Sequence, residues 1–114
     1  MKSERAYLLH ILQRVARIQD DASQGKEAVF RSATLQDAIL RNLQVLCESA
    51  QRISEESKAR HPEVNWPGIA GLRNILVHDY LSVDFETIWG IVERDLPGLE
   101  AAVKHLLSEA EPSP

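Results

Sequence analysis

The chain has 114 residues, 44% of them hydrophobic, which suffices for one small core to which contacts between copies would be a natural supplement. A single cysteine, Cys47, excludes an internal disulfide and a cysteine-rich zinc site, and no run approaches the roughly 18 apolar residues that span a bilayer, so a soluble, cytosolic protein is expected. The net charge of −4 is uneven: residues 1–60 carry ten basic and eight acidic side chains, residues 61–114 three basic and nine acidic. That balance argues against a generally basic nucleic-acid-binding domain but leaves room for a local basic face on the early helices.

All five prolines follow residue 61, so the first half is free to form long helices. Tyr7, Ile11, Val15, Ile18 and Ala22 recur at helical spacing and predict a first helix over about residues 4–20. Asp20, Ser23 and Gly25 mark its end, and residues 26–32 read as one or two further turns. Thr34 is the expected N-cap of the longest helix, about 35–60, with the stripe Leu35, Ile39, Leu43, Leu46, Ala50 and Ile53. Leu40 and Cys47 widen that sector, which places the helix between two neighbours and makes Cys47 a packing residue. Arg41 and Arg52, separated by about 20° after three turns, project away from the stripe and are candidate RNA contacts.

His61-Pro62 closes this helix, because the residue before proline is pushed out of the helical region. Asn65 caps the next one, with Trp66 and Pro67 in its first turn and Ile69, Leu72, Leu76 and, as a further candidate, Ile75 on its buried face. Gly68 and Gly71 weaken it but permit close approach of another backbone. Ser82 or Asp84 starts the last helix, whose stripe is Phe85, Ile88, Val92, Leu99, Val103 and Leu106, with Pro97-Gly98 expected to cause a kink or a break near Leu96. The prediction is an all-α bundle of four or five helices in one domain over residues 1–110, followed by a disordered tail, 111–114.

No phosphate-binding glycine loop, HExxH, GxSxG or paired metal ligands occur. His10, His61 and His105 are separated in sequence and read as surface or capping residues, and Trp66 and Trp89 as core or interface anchors. His78 differs in its company. Asn74 lies four residues before it on the same helix face, and Arg73 five before it, offset by about 140°.

The run from Trp66 to Tyr80, WPGIAGLRNILVHDY, resembles the HepT-like HEPN family, whose hallmark is R-N-x-x-x-H-x-Y. Arg60-His61-Pro62-Glu63 before it, Val83-Asp84 and Ile88-Trp89 after it, and the helix from Ala38 to Ile53 are also similar, so the resemblance spans residues 5 to about 108. It implies an up-and-down HEPN bundle and a toxin of a toxin–antitoxin pair acting as a metal-independent RNA endonuclease, without cofactor. It further implies a homodimer whose motif helices line a shared cleft, with Arg73 and His78 catalytic and Asn74 supporting them. Tyr80 would be the residue to which an MntA-type nucleotidyltransferase antitoxin attaches AMP. The substrate, a transfer RNA or a messenger RNA, is left open. The alternative is a non-catalytic HEPN module that binds a nucleotidyltransferase or a nucleotide.

The residue chemistry agrees with the first reading. RNA carries its own nucleophile, the 2′-hydroxyl, so cleavage needs a base, an acid for the 5′-oxygen and a cation for the charge on phosphorus. Histidine serves as base or acid near neutral pH, and a guanidinium matches phosphate geometry. One His78 cannot easily do both jobs at once; a two-fold dimer supplies two.

Overall fold

The structure, a computed structural model, describes residues 3–110, so the expected disordered tail lies outside the described residues. Helix α1 spans Glu4–Ala22, α2 Lys26–Phe30, α3 Ala33–Ala50, α4 Glu55–Ala59 and α5 Trp66–His78. A 3₁₀ turn, Tyr80–Ser82, leads to α6, Phe85–Gly90, then a π-helical turn, Ile91–Asp95, and α7, Leu96–Ala110. The fold is all-helical, as expected, with no strand among the described residues, and its long members are α1, α3, α5 and the rod from α6 to α7.

Helices α1, α3, α4, α5 and α6 each begin where a short polar side chain takes an orphan amide. Ser3 accepts from Ala6 at 3.3 Å, Asn65 from Gly68 at 3.0 Å, and Asp84 from Glu86 at 3.1 Å. The start of α3 is Ser32, which accepts from Leu35 at 3.1 Å, rather than the expected Thr34. Between α1 and α2 the chain reverses at Gly25, whose φ of 97° is closed to most side chains.

The pattern of apolar residues becomes the core. Leu8, Ile11, Val15 and Ile18 of α1 are fully buried, facing Ile39, Leu43, Leu46 and Cys47 of α3 and Leu99, Val103 and Leu106 of α7. Each such aliphatic side chain contributes about 1.5–3 kcal/mol relative to exposure. Helix α1 packs on α3 and α7, and α3 also carries α5, so α3 lies between two neighbours as its wide stripe predicts. Trp89 is a core residue, with Phe30 edge-on to it at 6.1 Å and to Phe85 at 5.3 Å.

One expectation about the long helices needs correction, and the irregularity expected near Leu96 takes a particular form. The predicted helix to residue 60 ends at Ala50: Arg52 and Ile53 bond back to Ser49 and Ala50 in a turn that keeps Ile53 in the core, and Ser54 caps the separate α4. Pro97 does not break the last helix. The π turn just before it, in which Leu96 donates to Ile91, absorbs the disturbance, and the chain continues as α7.

Candidate functional site

Helix α5 presents the R-N-x-x-x-H run and packs on α3 through one narrow face. Leu76 is its one fully buried residue among those described, with Trp66, Ile69 and Leu72 partly buried. Trp66 anchors the start through its indole N–H, shared between the carbonyls of Lys58 at 3.2 Å and His61 at 3.0 Å. Gly68 is required by the cap itself, since a Cβ there would lie 2.5 Å from the Asn65 amide. Clearance for its own N-cap is thus a second reason for glycine there, beside the close approach of another backbone expected from the sequence. A Cβ on Gly71 would meet nothing within 4 Å.

Around the helix axis, Gly71, Asn74, Ile75 and His78 fall within an arc of about 100°, which is the exposed face. Arg73 starts from the opposite side, but its guanidinium returns: Nη1 donates to Asn74 Oδ1 at 3.2 Å, while Nε is buried without a hydrogen-bond partner among the described residues. His78 is the last residue of α5 and is exposed, with no hydrogen bond to its ring among the described residues. Asp79 ends the helix by bonding back to Ile75 at 2.8 Å, and the chain turns tightly through Tyr80.

Tyr80 is 45% exposed, and its hydroxyl donates to Asp37 Oδ1 on α3 at 3.4 Å. Partial burial, the Asp37 charge and this hydrogen bond hold the phenol above its ordinary range. Around these polar groups lie exposed apolar ones: Ile75, the further candidate for the buried face, is instead 46% exposed because it shares the arc of Asn74 and His78, with Val77 at 37% and Leu81 at 99%. The structure thus brings Arg73 to Asn74 and joins Tyr80 to Asp37, a neighbour that sequence spacing gives no means of finding.

Arg41 and Arg52 are both exposed, but the helix that would have aligned them ends between the two, and Arg52 sits in the following turn. The other three histidines are not simple surface residues. His10 Nδ1 lies 2.6 Å from Ser49 Oγ, and Arg14 donates to His10 Nε2 at 3.1 Å and to Asn42 at 2.9 Å, a polar joint between α1 and α3. His61 is buried and meets His105, with Glu109 close by, the one grouping among the described residues with metal-ligand spacing.

Comparison with known proteins assigns the class. The model of the family described as "Ribonuclease HepT-like" matches residues 8–106. A protein of Caldanaerobacter subterraneus subsp. tengcongensis named "Putative RNase" is 33% identical over 96% of this chain and 98% of its own length. "Probable ribonuclease HepT" of Thermococcus cleftensis is 34% identical over 62% of this chain and 64% of its own. "mRNA nuclease HepT" of Shewanella oneidensis is 25% identical over 91% and 93%. No solved structure matches. An all-helical ribonuclease is the class these findings define. The chain belongs to the HepT-like ribonuclease family.

Proposed function

We propose that the chain is the toxin of a toxin–antitoxin pair, a metal-independent endoribonuclease whose active site forms where the α5 helices of two copies meet. The observation that carries this reading is the surface of α5: Arg73, Asn74 and His78 sit among exposed Ile75, Val77 and Leu81, an apolar surround that a second copy would cover. In the cleft, one His78 takes the proton of an RNA 2′-hydroxyl as its oxygen attacks the adjacent phosphorus. The bond from phosphorus to the 5′-oxygen breaks, and the second His78 protonates that oxygen, leaving a cyclic phosphate and a 5′-hydroxyl. The Arg73 guanidiniums stabilise the charge that develops on phosphorus. With Nε unsatisfied and a single bond to Asn74, Arg73 gives up little when it turns onto a phosphate, and Asn74 holds it nearby until then. The chain's RNA substrate is messenger or transfer RNA, the former being what the Shewanella relative's name states for that protein. Arg41 and Arg52 are retained as separate backbone contacts for it.

Tyr80 is the proposed point of control. Its hydroxyl is accessible two residues beyond His78, so AMP attached there by an MntA-type nucleotidyltransferase antitoxin would place bulk and a negative phosphodiester at the mouth of the cleft and repel RNA. The test of the activity is RNA cleavage in EDTA: wild type cleaves, and His78→Ala loses on the order of 10² to 10⁴ in rate. Equal cleavage by the two proteins would sink the reading. The control step is checked by intact mass after co-expression with the antitoxin, where AMP-sized additions vanish in Tyr80→Phe while cleavage survives. Complex formation without cleavage by any preparation would favour the binding-module alternative.

A further inference from the structure

His61 sits in the linker from α4 to α5, and His105 lies on the exposed side of α7, 44 residues away in sequence. The fold sets His105 Nδ1 3.0 Å from His61 Nε2, with the two rings edge to face. Glu109, one helical turn after His105, places Oε1 3.5 Å from His105 Nδ1. One ligand atom from each of the three lies within 4.8 Å of the other two. We infer that His61, His105 and Glu109 form a binding site for a divalent transition metal of the zinc class, clipping the α4–α5 linker to α7.

The donor set and its surroundings are those such an ion requires. Two nitrogens and a carboxylate oxygen, with water as the fourth ligand, make a tetrahedral site, and nitrogens bound at about 2.0–2.1 Å stand about 3.3 Å apart. The pair here needs to open by only a few tenths of an ångström. His61 already has the outer partner of a metal-binding imidazole: Glu63 Oε2 lies 2.8 Å from Nδ1, so Nδ1 carries the proton and the Nε2 lone pair is directed at His105. Without metal, His105 Nδ1–H donates to His61 Nε2. Binding requires His105 to move that proton to its outer nitrogen, an exchange through solvent with no net release.

Arg60 pairs with Glu109 through the other oxygen, Oε2, at 3.3 Å, which leaves Oε1 for the ion. The residues at i and i+4 on α7 form one half of a chelate, and the buried His61 supplies the fixed half. This site is separate from the Arg73–His78 motif: along α5 about 10 Å of helix runs from Trp66 to Arg73 and about 18 Å to His78. Metal-free RNA cleavage and metal binding here are therefore independent claims.

The test uses the untagged protein stripped with a chelator. Zinc titrated into it by calorimetry should bind at one ion per chain, and the melting temperature should rise with zinc concentration. Cobalt in its place should give the intense visible absorption of a tetrahedral site. His105→Ala and Glu109→Ala, at exposed positions that leave the core intact, should each weaken zinc binding about ten-fold or more. Glu63→Gln should cost on the order of ten-fold, and His78→Ala nothing. Absence of zinc uptake, or wild-type affinity in either His105→Ala or Glu109→Ala when circular dichroism shows both folded, would overturn the site.

Discussion

Cys47 illustrates how far a single residue can be read from its neighbours in sequence. Its place in the apolar sector of a helix predicts burial, and in the fold it is 1% exposed, with burial and the nearby Glu48 charge pushing the thiol up to about 12. A thiol so held is inert because the thiolate, not the thiol, reacts. The native protein at pH 8 should therefore react with a thiol reagent at the rate of unfolding. A burst of modification in the folded state, followed by absorbance, would contradict this. Asn42 and His10 lie at the other extreme. Both are polar residues in helices, and nothing in their spacing announces that Asn42 of α3 accepts from Arg14 of α1 or that His10 of α1 lies 2.6 Å from Ser49 of α3. A partner 28 residues away is set by helix packing rather than by periodicity.

Helix α4 shows the same division at the scale of an element. Its start carries a local signal that the predicted helix over 35–60 passes over: Ser54 followed by Glu55 and Glu56 is an N-cap with an acidic first turn. What completes the cap is remote. Ser54 accepts from Ser57 N–H at 3.1 Å, while Glu4, fifty residues earlier, accepts from Ser54 N–H at 2.5 Å and from Ser57 hydroxyl at 2.9 Å. In a capping box the third helical residue would supply that carboxylate; here α1 supplies it. Partial burial pushes the Glu4 carboxyl up, but the bonds from Ser54 and Ser57 and the Arg60 charge outweigh it, and the net shift is downward. A lowered folded value means that the Glu4 contribution is present above the ordinary carboxylate range and is lost as pH falls through the lowered value. Glu4→Gln should cost about 1 kcal/mol at pH 7 by urea unfolding. The gap to wild type should narrow as the pH is taken from 6 toward 3; a constant gap would remove the charge from the explanation.

At the scale of the whole molecule, the bundle has buried most of its apolar stripes, and apart from Leu9 on α1 the exposed large apolar side chains among the described residues lie on α5 and the turn beyond it. Ile75 and Leu81 remain open to solvent beside His78. If a second copy covers them, Ile75→Glu with Leu81→Glu should yield a monomer in sedimentation experiments and lower RNA cleavage about as far as His78→Ala does. Its helix content should be that of wild type, because neither side chain belongs to the core. A double variant that stays dimeric would move the interface elsewhere.

The sequence by itself determined the all-helical fold, the family and the core, because periodic burial and capping are local properties written every three or four residues. It also marked Arg73, Asn74, His78 and Tyr80 as a group, through a compact run on one helix. Only the tertiary structure decided the meetings across distance: Tyr80 with Asp37, Glu4 with the cap of α4, and His61 with His105. These depend on how the helices pack, and helical periodicity says which face is buried without saying which residue of another helix it will face.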